Sequence, residues 1–159
     1  MAPAQPGPAS GVHSVPRRSA APPAALDLLA KSRAGLAEAA VLDRPHERYA
    51  AAHLAALRAA AAVLAARGRP DTVPRRRQRI RSAWELLVEL APELAEWSAL
   101  FAAGAPRRAL AEAGVGSAAT QREADDLLRD AAYFLRLVER LLGLPAALPG
   151  RPGEDGLDG

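Results

Sequence analysis

Residues that favour β-strands are scarce in this chain of 159 residues, and that scarcity limits its fold more than any other feature. The sequence holds 11 β-branched residues, against 40 alanines and 23 leucines. Strands favour β-branched and aromatic side chains, whereas helices favour Ala, Leu, Arg and Glu. The sequence therefore predicts an all-α protein, and it disfavours both an all-β and a doubly wound α/β fold. It holds no cysteine, which excludes disulfides, thiolate catalysis and cysteine-based zinc sites.

Proline and glycine mark both ends of the chain as tails. Residues 1–23 hold six of the 14 prolines, and residues 144–159 hold three more prolines with four glycines. Segments of this composition bury too little apolar surface to offset the entropy lost on ordering. We therefore expect disordered tails over 1–23 and 144–159, and one helical domain over 24–143.

Helix breakers divide that domain into helical segments, and Pro92 breaks or kinks one of the helices. Gly68, Pro92 and Gly104 are the predicted stops. The predicted helical segments are 24–42, 43–67, 74–91, 92–103, 106–113 and 120–142.

The last of these segments has the clearest pattern. Thr120 and Glu123 have the spacing of a capping box, and apolar residues then recur at helical intervals. Every aromatic residue of the chain falls inside a predicted helix, which indicates a core position for each. The six aromatic residues are Tyr49, Trp84, Trp97, Phe101, Tyr133 and Phe134.

Several of these stretches resemble helices of HEPN domains (higher eukaryotes and prokaryotes nucleotide-binding domains). The stretch ERYAAAHLAALR, residues 47–58, resembles their second helix. The stretch READDLLRDAAYFLRLVE, residues 122–139, resembles their C-terminal helix. The stretch APELAEW, residues 91–97, is similar to an actinobacterial branch of the superfamily. Together the resemblance spans about residues 24–143.

The resemblance implies an up-and-down bundle of four to five helices that is often a homodimer. It also implies binding of RNA or a nucleotide, in a toxin–antitoxin-like setting for some members. Other HEPN domains are metal-independent endoribonucleases, in which an Arg and a His separated by four to six intervening residues meet across the dimer. In such a pair the His acts as acid or base on the 2′-hydroxyl, and the Arg stabilises the developing phosphorane charge.

One such pair, Arg48 and His53, is present, and it is the catalytic candidate. With arginine this abundant, about one match is expected by chance among the three histidines. Tyr49 follows the arginine where active members commonly place Asn, Asp or His, and the pair lies on the second helix instead of a later one. Five helical residues turn the two side chains about 140° apart. The structural interpretation is a partly buried His53 that bonds Tyr49 or a backbone carbonyl.

A second candidate is a basic run with five arginines in seven positions. Cations at the start of a helix oppose its dipole, so an RNA or DNA backbone or another anion is expected to offset them. The alternative is a solvated or self-paired cluster, with Arg81 and Glu85 at i,i+4 spacing. The candidate anion-binding residues are Arg75, Arg76, Arg77, Arg79 and Arg81.

Other functional classes find little support. His46 and His53 lie about 10 Å apart along a helix, so no metal site is expected, and no cofactor motif is present. We expect a cytoplasmic protein without a membrane partner. The first hypothesis is a non-catalytic HEPN-like module that binds a partner protein, nucleic acid or nucleotide as a homodimer. The alternatives are an endoribonuclease using Arg48 and His53, and a structural helical adaptor.

Overall fold

A computed structural model describes residues 21–68 and 82–145, and within them the chain folds into five α-helices without a strand. The predicted all-α bundle is therefore confirmed. The helices are α1 (Pro23–Val41), α2 (Pro45–Arg67), α3 (Ala83–Leu90), α4 (Ala95–Glu112) and α5 (Gln121–Leu141). Short 3₁₀ turns, Pro92–Leu94 and Gly116–Ala118, precede α4 and α5.

Helix α2 is the centre of the bundle, because each of the other four helices packs against it. Its alanines give it small side chains on several faces, which allow close approach. On the α1 side, Ser32 Oγ donates a 2.7 Å hydrogen bond to the Ala55 carbonyl. A Cβ added at Gly35 would meet the Ala55 Cβ at 3.4 Å. The backbones of α1 and α2 therefore approach each other closely around Ala55.

The same alanine content gives α2 the length and hydropathy of a membrane-spanning helix. The mean hydropathy of its most apolar window is 1.5, and half of that window is buried inside the bundle. The core helix of a folded bundle has the same properties, since its neighbours cover the faces that lipid would otherwise contact. The absence of a membrane partner stays a prediction.

Helix α3 begins later than predicted. Ser82 has an extended backbone, and its side chain accepts a hydrogen bond from the Glu85 amide, so it caps a helix that starts at Ala83. The predicted start at Pro74 is therefore wrong for this helix. The five candidate arginines, Arg75, Arg76, Arg77, Arg79 and Arg81, lie outside the described residues.

Helix α4 is longer than predicted, because it continues through both Gly104 and Pro106. The predicted stop at Gly104 and the separate helix from Pro106 are wrong. Pro106 lies on the exposed face, where water can solvate the Ala102 carbonyl that lacks its usual helical donor. Gly104 faces inward, where a Cβ would come within 2.7 Å of the Tyr49 hydroxyl. Tertiary packing thus explains this glycine.

Helix α5 begins as predicted. The Thr120 hydroxyl accepts from the Glu123 amide, and the Glu123 carboxylate accepts from the Thr120 amide. Of the predicted tails, the structure describes residues 21–23 and 144–145. Ala21 is buried, and Pro23 is the first residue of α1.

The aromatic core lies between α2, α3, α4 and α5. Phe101 and Phe134 are fully buried, with ring centroids 5.1 Å apart. Trp84 stacks on Phe101 at 5.3 Å. Tyr133 is 47% exposed, so the expectation that all six aromatics are core residues fails there. Its ring stacks outside the core on Trp97, at 5.4 Å.

Candidate functional site

His53, the predicted base, lies in the centre of the bundle and is 0% exposed. Its Nε2 is 2.7 Å from the carbonyl oxygen of Phe101. A carbonyl only accepts, so Nε2 carries the proton and donates it. This bond to a backbone carbonyl matches the structural interpretation of His53.

The other ring nitrogen also has a partner. Arg108, on α4, places its Nη1 3.3 Å from His53 Nδ1, so the guanidinium donates to a neutral imidazole. Arg108 in turn pairs with Glu112, with Nε 3.4 Å from the carboxylate. Burial lowers the pKa of His53, and the positive charge of Arg108 adds to that effect against the opposing influence of the Phe101 hydrogen bond and Glu112. The ring is thus held neutral in one tautomer.

Aromatic rings enclose the imidazole. The Tyr49 ring stacks on it with centroids 6.4 Å apart. Trp84 and Phe101 meet it edge to face, at 5.9 Å and 6.1 Å. A general base must come within about 3 Å of the proton that it removes. These rings separate His53 from any substrate in the conformation described.

Arg48 has a different position and a different set of partners. Its Nε donates to the carbonyls of Ala39 and Leu42, at 3.2 Å and 3.1 Å. Its Nη2 donates to the Ala40 carbonyl at 3.4 Å, and its Nη1 pairs with Asp125 on α5. Helix α1 has no basic residue in its last turn, so Arg48 supplies the cation that the helix dipole favours there.

Arg48 and His53 are therefore not brought together within the chain. Arg48 joins the C-terminus of α1 to α5, whereas His53 joins α2 to α4. The helical geometry explains this, since five residues place the two side chains on different faces of α2.

A cleft of about 700 Å³ opens between α4 and the first half of α5. Tyr49 of α2 and Gly104 of α4 contribute to its lining and lie against each other. The side chains from α4 are mostly apolar, whereas those from α5 are mostly acidic. The lining includes Leu100, Ala103, Arg107, Leu110, Val115, Glu123, Asp126 and Asp130.

Charges in this cleft are only partly compensated. Arg107 pairs with Glu123, and its guanidinium lies 5.8 Å from the centroid of the Tyr49 ring. Burial raises the pKa of the Tyr49 hydroxyl, and Arg107 opposes that shift. Burial raises the pKa of Asp130, and the neighbouring carboxylate of Asp126 raises it further, against the opposing charge of Arg129. The α5 wall of the cleft therefore carries carboxylates that Arg107 and Arg129 compensate only in part.

The sequence interpretation did not find this cleft. Its acidic wall was visible as carboxylates at positions 123, 126 and 130, which share one face of α5. Nothing in that spacing shows that α4 stays apart from them. In the described ranges 21–68 and 82–145, no group of three His, Asp or Glu side chains has a metal-binding arrangement.

One of three comparisons with known proteins found a match. A family model described as HEPN_SAV_6107-like HEPN matches residues 39–139, which run from the end of α1 through most of α5. The match includes Arg48, His53 and the whole cleft. Neither the curated proteins nor the solved structures contain a match to this chain.

Proposed function

Because the chain belongs to the HEPN superfamily, whose functions relate to nucleotides and RNA, we propose that it is an RNA-binding module that does not cleave RNA. The observation that carries the non-catalytic part is the position of His53. Its ring is completely buried, and both of its nitrogens are engaged by Phe101 and Arg108.

Catalysis would need both members of the pair at an accessible surface. His53 would have to leave an aromatic core, and Arg48 would have to release the carbonyls at the end of α1. Buried polar groups are costly to leave without partners, at about 1–3 kcal/mol each. We therefore assign both residues a structural role: Arg48 caps α1 and His53 fixes α4 on α2.

The RNA contact is proposed from the sequence between α2 and α3. Five arginines in seven positions give this segment a high positive charge density. Arginine recognises phosphate through paired N–H donors, and such contacts make affinity strongly dependent on salt. The homodimer and a partner protein stay proposals drawn from the resemblance, and the cytoplasmic location stays a proposal drawn from the sequence.

The absence of cleavage is tested with labelled mixed-sequence RNA in EDTA. We expect the intact wild-type protein to leave the RNA uncut. Because His53→Ala removes a core side chain, His53→Asn, which keeps a polar group there, is the second variant. Cleavage by the wild type that both variants abolish, while His53→Asn stays folded by circular dichroism, would establish the endoribonuclease alternative.

RNA binding is tested by fluorescence anisotropy across a salt series with a single-stranded RNA. We expect Arg75→Ala, Arg77→Ala and Arg79→Ala together to weaken binding and to reduce the salt slope by about 2, at about 0.7 per phosphate contact. The matched control removes three exposed arginines of α5 and should leave the slope within about 0.5 of the wild type. These are Arg122, Arg136 and Arg140. Absence of salt-sensitive binding would overturn the proposal in favour of a structural adaptor.

A further inference from the structure

The α4–α5 cleft is a groove bridged at two places. At one end, Trp97 of α4 stacks on Tyr133 of α5, with ring centroids 5.4 Å apart. Farther along α4, Arg107 pairs with Glu123 of α5. Tyr49 of α2 contributes to the lining. These bridges, with the buried contact between Phe101 and Phe134, hold the two helices together around the groove.

One wall of the groove is apolar and exposed. Leu100, Leu110 and Val115 are 45%, 52% and 38% exposed, and all three line it. They make up three of the seven large apolar side chains that are exposed in the described residues. Concentration of exposed apolar surface in one cleft is typical of an interaction site.

The opposite wall is acidic. Asp126 and Asp130 lie one turn apart on α5. The pKa of Asp130 is raised by burial and by Asp126, against the opposing influence of Arg129. Arg129 is an exposed partner of Asp126 at 3.4 Å, and no ion pair of Asp130 is found among the described residues. A further positive charge placed there would relieve the remaining repulsion between the two carboxylates.

We propose that this groove binds an amphipathic, basic segment of a partner protein. Its apolar side chains would cover Leu100 and Leu110, and its Lys or Arg side chains would pair with Asp126 and Asp130. The distance along α4 between the two leucines, about 15 Å, matches about three turns of a helical ligand. An RNA backbone is a poor occupant, because its phosphates would meet two carboxylates.

Peptide binding in the groove does not rest on RNA binding, because the groove residues are different from the arginines of the basic run and include carboxylates of the opposite charge. Failure of one proposal therefore leaves the other standing. The groove and the basic run can be altered separately in the same full-length chain.

The probes are two fluorescent peptides of about 14 residues with one composition of Leu, Ala and Arg, arranged as an amphipathic helix in one and scrambled in the other. Spermidine, a cation without an apolar face, is the third probe. We expect saturable binding of the amphipathic peptide alone. Asp126→Asn with Asp130→Asn should weaken it about tenfold, and Leu110→Ser should weaken it by a similar factor.

Matched controls lie on α1, away from the groove. Asp27→Asn removes an exposed carboxylate that pairs with Lys31, and Leu26→Ser removes an exposed leucine. Each should leave the affinity within about twofold of the wild type. Equal binding of the scrambled peptide or spermidine would reduce the effect to charge alone and overturn the proposal. Absence of saturable binding to the amphipathic peptide would overturn it as well.

Discussion

Tyr49 lies between the His53 core and the α4–α5 groove, and the two regions differ in how their polar groups are paired. Two adjacent arginines of α4 show the difference, because successive helical residues point about 100° apart. Arg108 turns inward and donates to His53, whereas Arg107 turns toward the groove and pairs with Glu123. In the core both nitrogens of the buried ring have partners. In the groove, Glu123 and Asp126 have exposed partners in Arg107 and Arg129, whereas no ion pair of Asp130 is found among the described residues.

The largest expected effect comes from emptying the core. His53→Ala removes a fully buried ring and leaves Arg108 without its acceptor, so we expect a loss of about 3 kcal/mol in the free energy of unfolding. Chemical denaturation of the full chain measures it. The control is His46→Ala, a half-buried histidine in the first turn of α2, which should cost less than about 1 kcal/mol. Equal losses in the two variants would contradict the comparison.

The second largest effect is expected at Arg48. Its side chain is polar like those of the groove, but it donates hydrogen bonds to four partners. Arg48→Ala removes charge-assisted bonds to three carbonyls of the α1 terminus and to Asp125, and we expect a loss of about 2 kcal/mol. Arg48→Lys should recover only part of it, since an ammonium cannot fork across these acceptors. Arg44→Ala, an exposed neighbour, is the control for urea denaturation. If Arg48→Ala unfolds at the wild-type midpoint, the capping role is wrong.

Substitution of Gly104 tests how tightly Tyr49 is packed between the core and the groove. An added Cβ would stand 2.7 Å from the Tyr49 hydroxyl and 3.3 Å from the His53 ring. Ala normally stabilises a helix interior by about 1 kcal/mol relative to Gly, but here overpacking should outweigh that gain. We expect Gly104→Ala to lower the free energy of unfolding by about 1 kcal/mol. A rise in thermal stability would show that Tyr49 moves freely.

The pH dependence of stability distinguishes a buried neutral His53 from an accessible one. Burial lowers the pKa of folded His53 below its unfolded value of about 6.5, so the unfolded chain takes up the proton first. This contribution to stability is fully present above about pH 6.5 and is lost as the pH falls through the folded pKa. The facing groups are Arg108 and Glu112, with Tyr49, Trp84 and Phe101 around the ring. His53→Asn should have a shallower acid dependence than wild type in denaturation curves from pH 7 to about pH 5.

The smallest expected effect is in the groove. The pKa of Asp130 is raised in the folded state, so its ionised form slightly disfavours folding at neutral pH. Asp130→Asn should therefore leave stability unchanged or raise it by no more than about 0.5 kcal/mol. Asp27→Asn, on exposed α1, is the matched control for thermal denaturation. A loss above about 1 kcal/mol would mean that Asp130 supports the fold.

Local signals made much of the fold predictable. The Thr120 and Glu123 capping box needs only a spacing of three residues, and it placed the start of α5 correctly. Gly104 and Pro106 misled the prediction, because their tolerance inside α4 depends on Tyr49 and on which face meets water. The start of α3 was missed because the basic run before Ser82 has helical composition.

The candidate sites were less predictable, for a physical reason. The pattern of Arg48 and His53 contains their separation in sequence, but their roles depend on the carbonyls of α1 and Phe101, which only tertiary packing brings near. The groove depends on the gap between α4 and α5. That gap results from the packing of the whole bundle and cannot be predicted from the residues of either helix alone. Arg108 carries one local signal, its i,i+4 spacing to Glu112.

Tyr49 contacts His53 in the core and also lines the groove, and this has a kinetic consequence. Its ring is held by the His53 stack and the close backbone of Gly104 before any ligand arrives. A partner would therefore meet a Tyr49 side chain that is already in place, and binding would cost little free energy for ordering it. Differences in affinity among partners should then appear in how long each stays bound, with similar association rates.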